Sequence, residues 1–297
     1  MSERSPAESR IMDIGAKTSV AEFIDGLIAE LSSEELVFST SLNATMKIRH
    51  ALLNPDISTD QIARLISTEP VLSAQVLRVC NSVMFSRGTQ KISELRAATM
   101  RLGFAVVRNV AISVGMKQLA EHKSSGKISQ RMEGLWTRRL RVAALSYVIA
   151  KNLTKLTPDS AMMAGLLLDV GRFYILNRAR HHQEQFATEQ ALWEIVNQWH
   201  AQFGAVILKK WHIAHDIQDA VSDYGNADLP YSGRPGLVDV ITTADFLDAH
   251  FIAKSMSAVD WESVPPALQH LQLDREKCEI LMNETREELS LILQAIG

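Results

Sequence analysis

Apolar residues recur at helical spacing along almost the whole chain, and no segment alternates as a half-buried strand would. Phe23, Leu27 and Leu31 form the first apolar stripe, and a second helix is predicted at about 34–53. Short helices follow, one after the capping pair Ser58 and Gln61 and one opening at Pro70. Further helices are predicted at about 93–102, 105–119, 130–153, 161–176, 189–199, 203–211, 217–221, 237–251 and 274–296. The pattern therefore predicts an all-α fold.

The predicted helix at 161–176 reads AMMAGLLLDVGRFYIL and is apolar on every side, which is typical of the centre of a bundle. Thr157 is expected to cap it. Its lone carboxylate is Asp169. Burying an ionised carboxylate costs several kcal/mol, as an order of magnitude, unless a cation, a metal or a set of donors pairs with it. The partner of Asp169 is therefore the central question.

Composition narrows the class of protein. The chain has 297 residues, enough for one large or two ordinary domains, and 46% of them are apolar, with only 14 Gly and 8 Pro, which favours an all-helical protein with a substantial core. Its net charge of -3 gives no overall field that would attract nucleic acid or an anionic membrane. Two cysteines are too few for a disulfide framework. The polar N-terminus lacks a signal peptide, and no apolar run approaches the roughly 18 residues of a membrane span. A cytoplasmic protein is expected.

The segment Gly165–Gly171, GLLLDVG, resembles the GLLHDIG motif of HD-superfamily metal-dependent phosphohydrolases. A second series resembles the HDOD domain, a bacterial signalling module related to those enzymes. This series comprises residues 62–66 and 69–72, the run 76–82 ending in Asn81-Ser82, Leu102-Gly103, Trp136, and residues 204–208 with Trp211. Asn81, Ser82 and Gly103 are its local signature.

The HDOD resemblance implies a compact multi-helix bundle in two helical subdomains. We expect a disordered segment at 1–17 and an HDOD domain at 18–250. Its N-terminal subdomain would cover about 30–125 and its degenerate HD-like subdomain 126–250, divided near Ser124, Ser125 and Gly126. A C-terminal helical extension would occupy 251–297, and its amphipathic helix at 274–296 is predicted to form a dimer or partner surface.

The metal ligands of the HD family map only in part onto this chain. By resemblance, Arg138 stands where the family has its first histidine, and Leu168 replaces the histidine of the His-Asp pair. A later histidine pair falls near Asp223 and Tyr224. Two aspartates match, Asp169 and Asp245. Without imidazole nitrogens a transition metal would be held poorly, so no metal, cofactor or catalytic residue is predicted.

We therefore hypothesise that the Arg138 guanidinium replaces the metal charge and bridges Asp169 and Asp245. Trp136 completes this candidate ligand or partner pocket. The alternative is that Arg138 reaches solvent and Asp169 caps a neighbouring backbone. A nucleic-acid patch of Trp136 with the arginines of the same helix is disfavoured against a salt-bridged helix. Asn81 and Ser82 are expected to end a helix.

By resemblance, the function is that of a non-catalytic regulatory module acting through protein–protein interaction in bacterial signal transduction. The expected partners are other signalling proteins, including cyclic-dinucleotide or two-component pathway components, with homodimerisation as an option and no nucleic acid or membrane. Two alternatives stay open. One is a divergent metal-dependent phosphohydrolase that uses Asp169 and Asp245 with His200, His212 or Asp223. The other is a nucleotide sensor that binds through Arg138.

Overall fold

The computed structural model describes residues 20–33, 47–48, 50–52, 54–86, 91–120, 126–186, 188–226, 229, 233–252 and 259–296. The expected disorder at 1–17, most of the helix predicted at 34–53 and the Ser124-Ser125 part of the boundary loop lie outside these residues. Within them all regular secondary structure is helical, which confirms the all-α prediction. The division of the chain into domains stays a prediction.

The helices follow one another with short connections. Residues 20–32, 47–48 and 50–51 are helical. They are followed by α1 (Thr59–Ser67), α2 (Pro70–Cys80), α3 (Val83–Ser86), α4 (Leu95–Ala120), α5 (Lys127–Leu153), α6 (Pro158–Leu167), α7 (Val170–Ala179), a 3-10 turn (Gln183–Gln185), α8 (Glu189–Lys210), α9 (His215–Asp223), α10 (Leu237–Leu247), a π turn (Asp248–Ile252), α11 (Pro266–His270), α12 (Arg275–Glu284) and α13 (Arg286–Ile296).

Local capping explains several boundaries. The Ser58 hydroxyl accepts a hydrogen bond from the Gln61 backbone at 3.2 Å, and the Gln61 side chain accepts from the Ser58 backbone at 2.8 Å, so α1 begins as predicted. Asn81 ends α2. Its side chain donates to the carbonyls of Leu77 (2.9 Å) and Ile92 (2.7 Å) and accepts from the Ile92 N–H (2.8 Å). The helix-ending role predicted for Asn81 is therefore correct, and the same side chain anchors the segment that leads into α4.

Four predicted helices have different bounds in the structure. The segment predicted as one helix at 161–176 is two, α6 and α7, which meet at Leu168 and Asp169. The helices predicted at 189–199 and 203–211 are one, α8. The segment at 274–296 is two, α12 and α13. Gly103 does interrupt a helix as expected, since α4 contains a kink there with a φ of 76°.

The buried apolar residues form one continuous cluster that reaches from Phe23 to Ile296. α5 packs along α6, α10 packs against both of these helices, and α8 packs against α7. The C-terminal α13 packs against α2, α3 and α5. Gln75 donates to the Ala295 carbonyl at 3.2 Å and Ser113 donates to the Ile296 carbonyl at 3.0 Å.

The apolar face of the C-terminal segment is therefore covered by the chain itself. Its buried members are Cys278, Leu281, Leu289, Ile292, Ala295 and Ile296. The prediction that this face offers a dimer surface is wrong in this respect, because the same side chains complete the intramolecular core. Homodimerisation through another surface stays a prediction.

Among the described helices, α4 is long and apolar enough to span a membrane by length and composition. However, 56% of its apolar stretch is buried inside the molecule, and the kink at Gly103 interrupts it. Burial of this kind is what a core helix of a bundle shows.

Candidate functional site

Four arginines and three aspartates meet where α5, α7 and α10 come together. Arg138 and Arg141 are three residues apart on α5, and Asp245 and Asp248 are three residues apart where α10 passes into the π turn, so each pair occupies one helix face. We call the set the arginine–aspartate cluster. It comprises Arg138, Arg139, Arg141, Asp169, Arg172, Asp245 and Asp248.

Asp169 is positioned by the break between α6 and α7. It occupies the N-cap position of α7 with φ -106° and ψ 20°, and its carbonyl accepts from the Phe173 N–H at 2.9 Å. The chain thus turns at this residue, and its carboxylate makes no cap bond to α7. It is directed instead toward two arginines. Oδ1 lies 3.0 Å from Arg172 Nε and Oδ2 lies 3.1 Å from Arg139 Nε.

The two glycines that flank this turn allow neighbouring helices to approach closely. A Cβ on Gly165 would lie 2.8 Å from the Ala143 Cα of α5, and one on Gly171 would lie 1.9 Å from the His200 carbonyl oxygen of α8. Neither position has room for a side chain. The glycines of GLLLDVG therefore serve the packing that places Asp169.

Arg139 bridges the two aspartates that the sequence singled out. Its Nε lies 3.1 Å from Asp169 Oδ2 and its Nη2 donates to Asp245 Oδ1 at 2.5 Å. The hypothesis that Arg138 makes this bridge is therefore wrong. Arg138 reaches Asp245 but not Asp169, because a residue one position earlier on α5 points about 100° away around the helix axis. Only 3% of the Arg139 side chain is exposed, against 38% for Arg138.

The charges of this bridge stabilise one another. Burial would lower the pKa of the Arg139 guanidinium, but Asp169 and Asp245 outweigh it and raise that pKa. Burial would raise the pKa of Asp245, but Arg139, a hydrogen bond from the Tyr224 hydroxyl (2.7 Å) and Arg138 together lower it. The pKa of Tyr224 itself is raised by burial and by Asp245. These directions keep Arg139 charged, Asp245 ionised and Tyr224 protonated as a donor.

The outer side of the cluster is more exposed. Arg138 Nη2 donates to Asp245 Oδ2 at 2.8 Å, and Arg138 Nε lies 3.7 Å from Asp248 Oδ2. Arg141 holds Asp248 with two hydrogen bonds, of 2.5 and 3.1 Å. The expected alternative of a salt-bridged helix face is therefore what the arginines of α5 form.

His200 of α8 borders the cluster. Arg172 Nη2 lies 3.0 Å from His200 Nε2, and Arg172 Nη1 donates to the Asn197 side chain at 2.8 Å. Burial lowers the pKa of His200, Arg172 lowers it further, and Asp169 offsets only part of this. A neutral imidazole can then accept the Arg172 hydrogen bond at Nε2.

The residues present do not fit the metal of an HD-type site. Such a site requires imidazole nitrogens, carboxylate oxygens and an open position for water. Here Leu168 is a buried apolar side chain, and both carboxylate oxygens of Asp169 and both of Asp245 lie within 3.1 Å of arginine nitrogens. Among the described residues, no group of three or more His, Cys, Asp or Glu side chains is arranged to hold a metal.

The other residues predicted from sequence lie elsewhere. Trp136 is buried in the apolar core. Ser82 donates to the Val79 carbonyl at 2.7 Å in the turn after α2, consistent with helix termination. His212, which was considered as a metal ligand, lies after α8 in a left-handed backbone conformation with φ 50°. Asp223 is the last residue of α9.

Sequence reasoning missed Arg139, Arg172 and Asp248 as members of the cluster, and it placed Tyr224 near a lost ligand position without predicting its hydrogen bond to Asp245. Two of them carried a signal that could have been used. Arg172 lies three residues after Asp169, and Asp248 lies three residues after Asp245, which is the spacing of side chains that meet on a helix.

The helical architecture and the cluster together define a class, an all-helical bundle with a buried arginine–aspartate cluster. The HDOD domain family model matches residues 40–226, which is more than half of the chain. The chain belongs to the HDOD domain family. Asp245 and Asp248 lie beyond the matched residues.

Solved structures share this fold. A provisionally named metal-dependent phosphohydrolase from Shewanella amazonensis SB2B has a TM-score of 0.68 and 20% identity, with 94% of this chain and 100% of that chain covered. An HDOD domain protein of unknown function from Geobacter sulfurreducens has a TM-score of 0.62 and 19% identity, with 96% and 99% covered. A provisionally named signal transduction protein from Marinobacter aquaeolei VT8 has a TM-score of 0.57 and 15% identity, with 95% and 66% covered. At these identities the likeness shows the fold alone.

A curated relative, an uncharacterized protein of Treponema pallidum (strain Nichols), is 23% identical over 201 residues. The match covers 63% of this chain and 37% of the relative, so this chain spans well under half the length of that protein.

Proposed function

We propose that the chain is a non-catalytic HDOD module that regulates bacterial signal transduction by binding other proteins. One observation carries the proposal. Each carboxylate oxygen of the two aspartates that match the HD metal ligands lies within 3.1 Å of an arginine of the same chain. A cation would have to displace these arginines to reach the oxygens, and His200, the imidazole beside the cluster, is itself hydrogen-bonded to Arg172.

The chemistry of the cluster supports a structural role for the retained charges. Arg139 is nearly completely buried and is held by two carboxylates, so it fixes α5 relative to α7 and α10. A bundle held in this way presents a stable surface to partners. Components of two-component or cyclic-dinucleotide pathways in the cytoplasm are the proposed partners, which follows from the family and not from particular contacts.

A metal and turnover experiment tests the proposal. Purified protein is analysed for bound transition metals, then incubated with Mn²⁺ and bis(p-nitrophenyl) phosphate beside an HD phosphodiesterase that retains all its ligands. We expect no stoichiometric metal and no hydrolysis above the metal-only blank. Stoichiometric metal together with hydrolysis that Asp169→Asn abolishes would establish a divergent phosphohydrolase instead.

One observation favours a second candidate, the binding of an anionic nucleotide at the cluster. Four arginines face three aspartates, which leaves one excess positive charge, and Arg138 Nε and Arg139 Nη1 are buried without a hydrogen-bond partner among the described residues. Phosphate oxygens are good acceptors for guanidinium groups. A thermal-shift screen with cyclic dinucleotides tests this candidate, and a shift that persists in Arg138→Met would count against it.

A further inference from the structure

A small cavity lies between α4, α6 and α9 and shares no residue with the arginine–aspartate cluster. Its volume is about 140 Å³. One wall is polar, and the opposite wall is formed by small and apolar side chains. The lining residues are Arg108, Asn109, Thr157, Asp159 and Ser160 on the polar side, and Ala105, Met163, Ala214 and Ile217 on the other.

Two buried polar atoms of this wall have no hydrogen-bond partner among the described residues. They are Asn109 Oδ1, an acceptor, and Arg108 Nε, a donor. Asn109 is only 2% exposed, and its Nδ2 makes only long contacts with Asp159, of 3.3 Å to the carbonyl oxygen and 3.4 Å to Oδ1. A buried polar atom left unpaired costs about 1–3 kcal/mol. The wall therefore favours a molecule that donates to Asn109 and accepts from Arg108.

Asp159 adds a second acceptor beside Asn109. It lies in the first turn of α6, where Thr157 occupies the N-cap position without a side-chain cap bond. Burial raises the pKa of the Asp159 carboxyl, and the nearby Arg108 and the Asn109 amide offset this only in part. The cavity thus presents two adjacent acceptors, one cationic donor and an apolar face.

We propose that this cavity binds a flat heterocycle in which an amino group and a ring N–H stand next to a ring carbonyl, as in guanine or a pterin. The two N–H groups would donate to Asp159 and Asn109, and the carbonyl would accept from Arg108. Met163 and Ile217 would pack on the ring. The cavity is smaller than the roughly 300 Å³ at which pockets for drug-sized ligands begin, so the ring system alone would enter. This site lies beyond the proposed function and does not depend on it.

The ligand panel is guanosine, neopterin, inosine and adenosine, measured on the full chain by thermal shift and calorimetry. We expect guanosine or neopterin to raise the melting temperature and bind saturably, and the stronger of the two identifies the source of the ring. Inosine, which lacks the amino group, should bind at least about tenfold more weakly than guanosine, and adenosine should not bind. If none of the four binds at millimolar concentration, the cavity holds only solvent and the proposal is overturned.

Variants locate the site. Asp159→Asn should weaken binding at least about tenfold because it removes the charged acceptor, and Ala105→Leu should fill the cavity and abolish binding. The matched control is Asp219→Asn on the exposed side of α9, which should bind normally. Arg138→Met should also bind normally, and loss of binding in that variant would place the ligand at the arginine–aspartate cluster instead. If a cavity variant fails to fold, the panel on the unmodified chain still decides.

Discussion

Replacing Arg139 by methionine tests whether the buried bridge holds the bundle together. The variant keeps an unbranched, mostly aliphatic side chain and removes the guanidinium from between Asp169 and Asp245. Removing one partner of a buried ion pair costs roughly 3–5 kcal/mol, because the other charge stays buried and uncompensated. Asp169 retains Arg172, and Asp245 retains Arg138 and Tyr224, so we expect the lower end, about 3 kcal/mol. That is a large share of a typical folding free energy of about 5–15 kcal/mol.

The effect of Arg139→Met on the free energy of unfolding should also depend on pH. In the native chain the pKa of Asp245 is lowered, because Arg139, Tyr224 and Arg138 outweigh burial. The ionised Asp245 carboxylate therefore stabilises the folded chain fully above the unfolded pKa of about 3.9, and this stabilisation is lost as the pH falls through the lower folded pKa. Without Arg139, the largest of the influences that lower the pKa of Asp245 is lost, so this pKa should rise and the ionised carboxylate should stabilise the variant less than the native chain. The difference in free energy of unfolding between the two proteins should therefore widen as the pH rises from about 3 to about 6.

Urea unfolding followed by circular dichroism and by fluorescence of the 5 tryptophans measures the free energy at both pH values. Arg138→Met is the matched control. Its side chain is 38% exposed, so its pair with Asp245 is screened by solvent and should contribute at most about 1 kcal/mol. The reasoning is refuted if the two variants unfold at the same urea concentration, or if the cost of Arg139→Met does not change with pH.

Three further predictions concern other parts of the fold. Gly171→Ala should lower the free energy of unfolding by at least about 3 kcal/mol, because the new Cβ would meet the backbone of α8. In the same urea assay, Gly134→Ala at an exposed helix position should raise the free energy of unfolding by up to about 1 kcal/mol. Asn81→Ala should cost about 2–3 kcal/mol by loss of three hydrogen bonds, and a cost below about 1 kcal/mol in thermal unfolding would contradict its anchoring role. Both ring nitrogens of His270 face acceptors, and the hydrogen bond to Asp239 raises the pKa of His270. The protonated imidazole therefore stabilises the fold below pH 6.5, and this stabilisation is lost as the pH rises through the folded pKa of His270. An NMR titration should show that raised value, and Asp239→Asn should remove it.

The helical content was predictable because periodic apolar residues and caps such as the Ser58–Gln61 pair act locally. The break at Asp169 was not predictable, because Leu168, Asp169 and Val170 include neither Gly nor Pro. In addition, a segment that is apolar on all sides has no polar face, so its pattern cannot show where one helix ends and the next begins in a new direction. The opposite error occurred at 200–202, where His200, Ala201 and Gln202 separate two apolar stripes that were predicted as two helices but belong to one, α8.

The site could be located from sequence but its contacts could not. The motif order identified Asp169 and Asp245 as the retained carboxylates, and the structure brings both to Arg139. Sequence could not decide between Arg138 and Arg139. Neighbouring residues on a helix differ in direction by about 100°, so the choice depends on how α5 is rotated in the bundle, which only long-range packing determines.

The hydrogen bonds that hold the end of α13 have a consequence for how this protein is made. Ser113 is 183 residues before its acceptor at position 296, and Gln75 is 220 residues before its acceptor at position 295. On the ribosome, the side chains of α2, α3 and α5 that α13 covers therefore stay uncovered until α13 (Arg286–Ile296) has been synthesised. During that interval the nascent chain exposes apolar surface that can aggregate, so this is the stage at which a chaperone would be needed most.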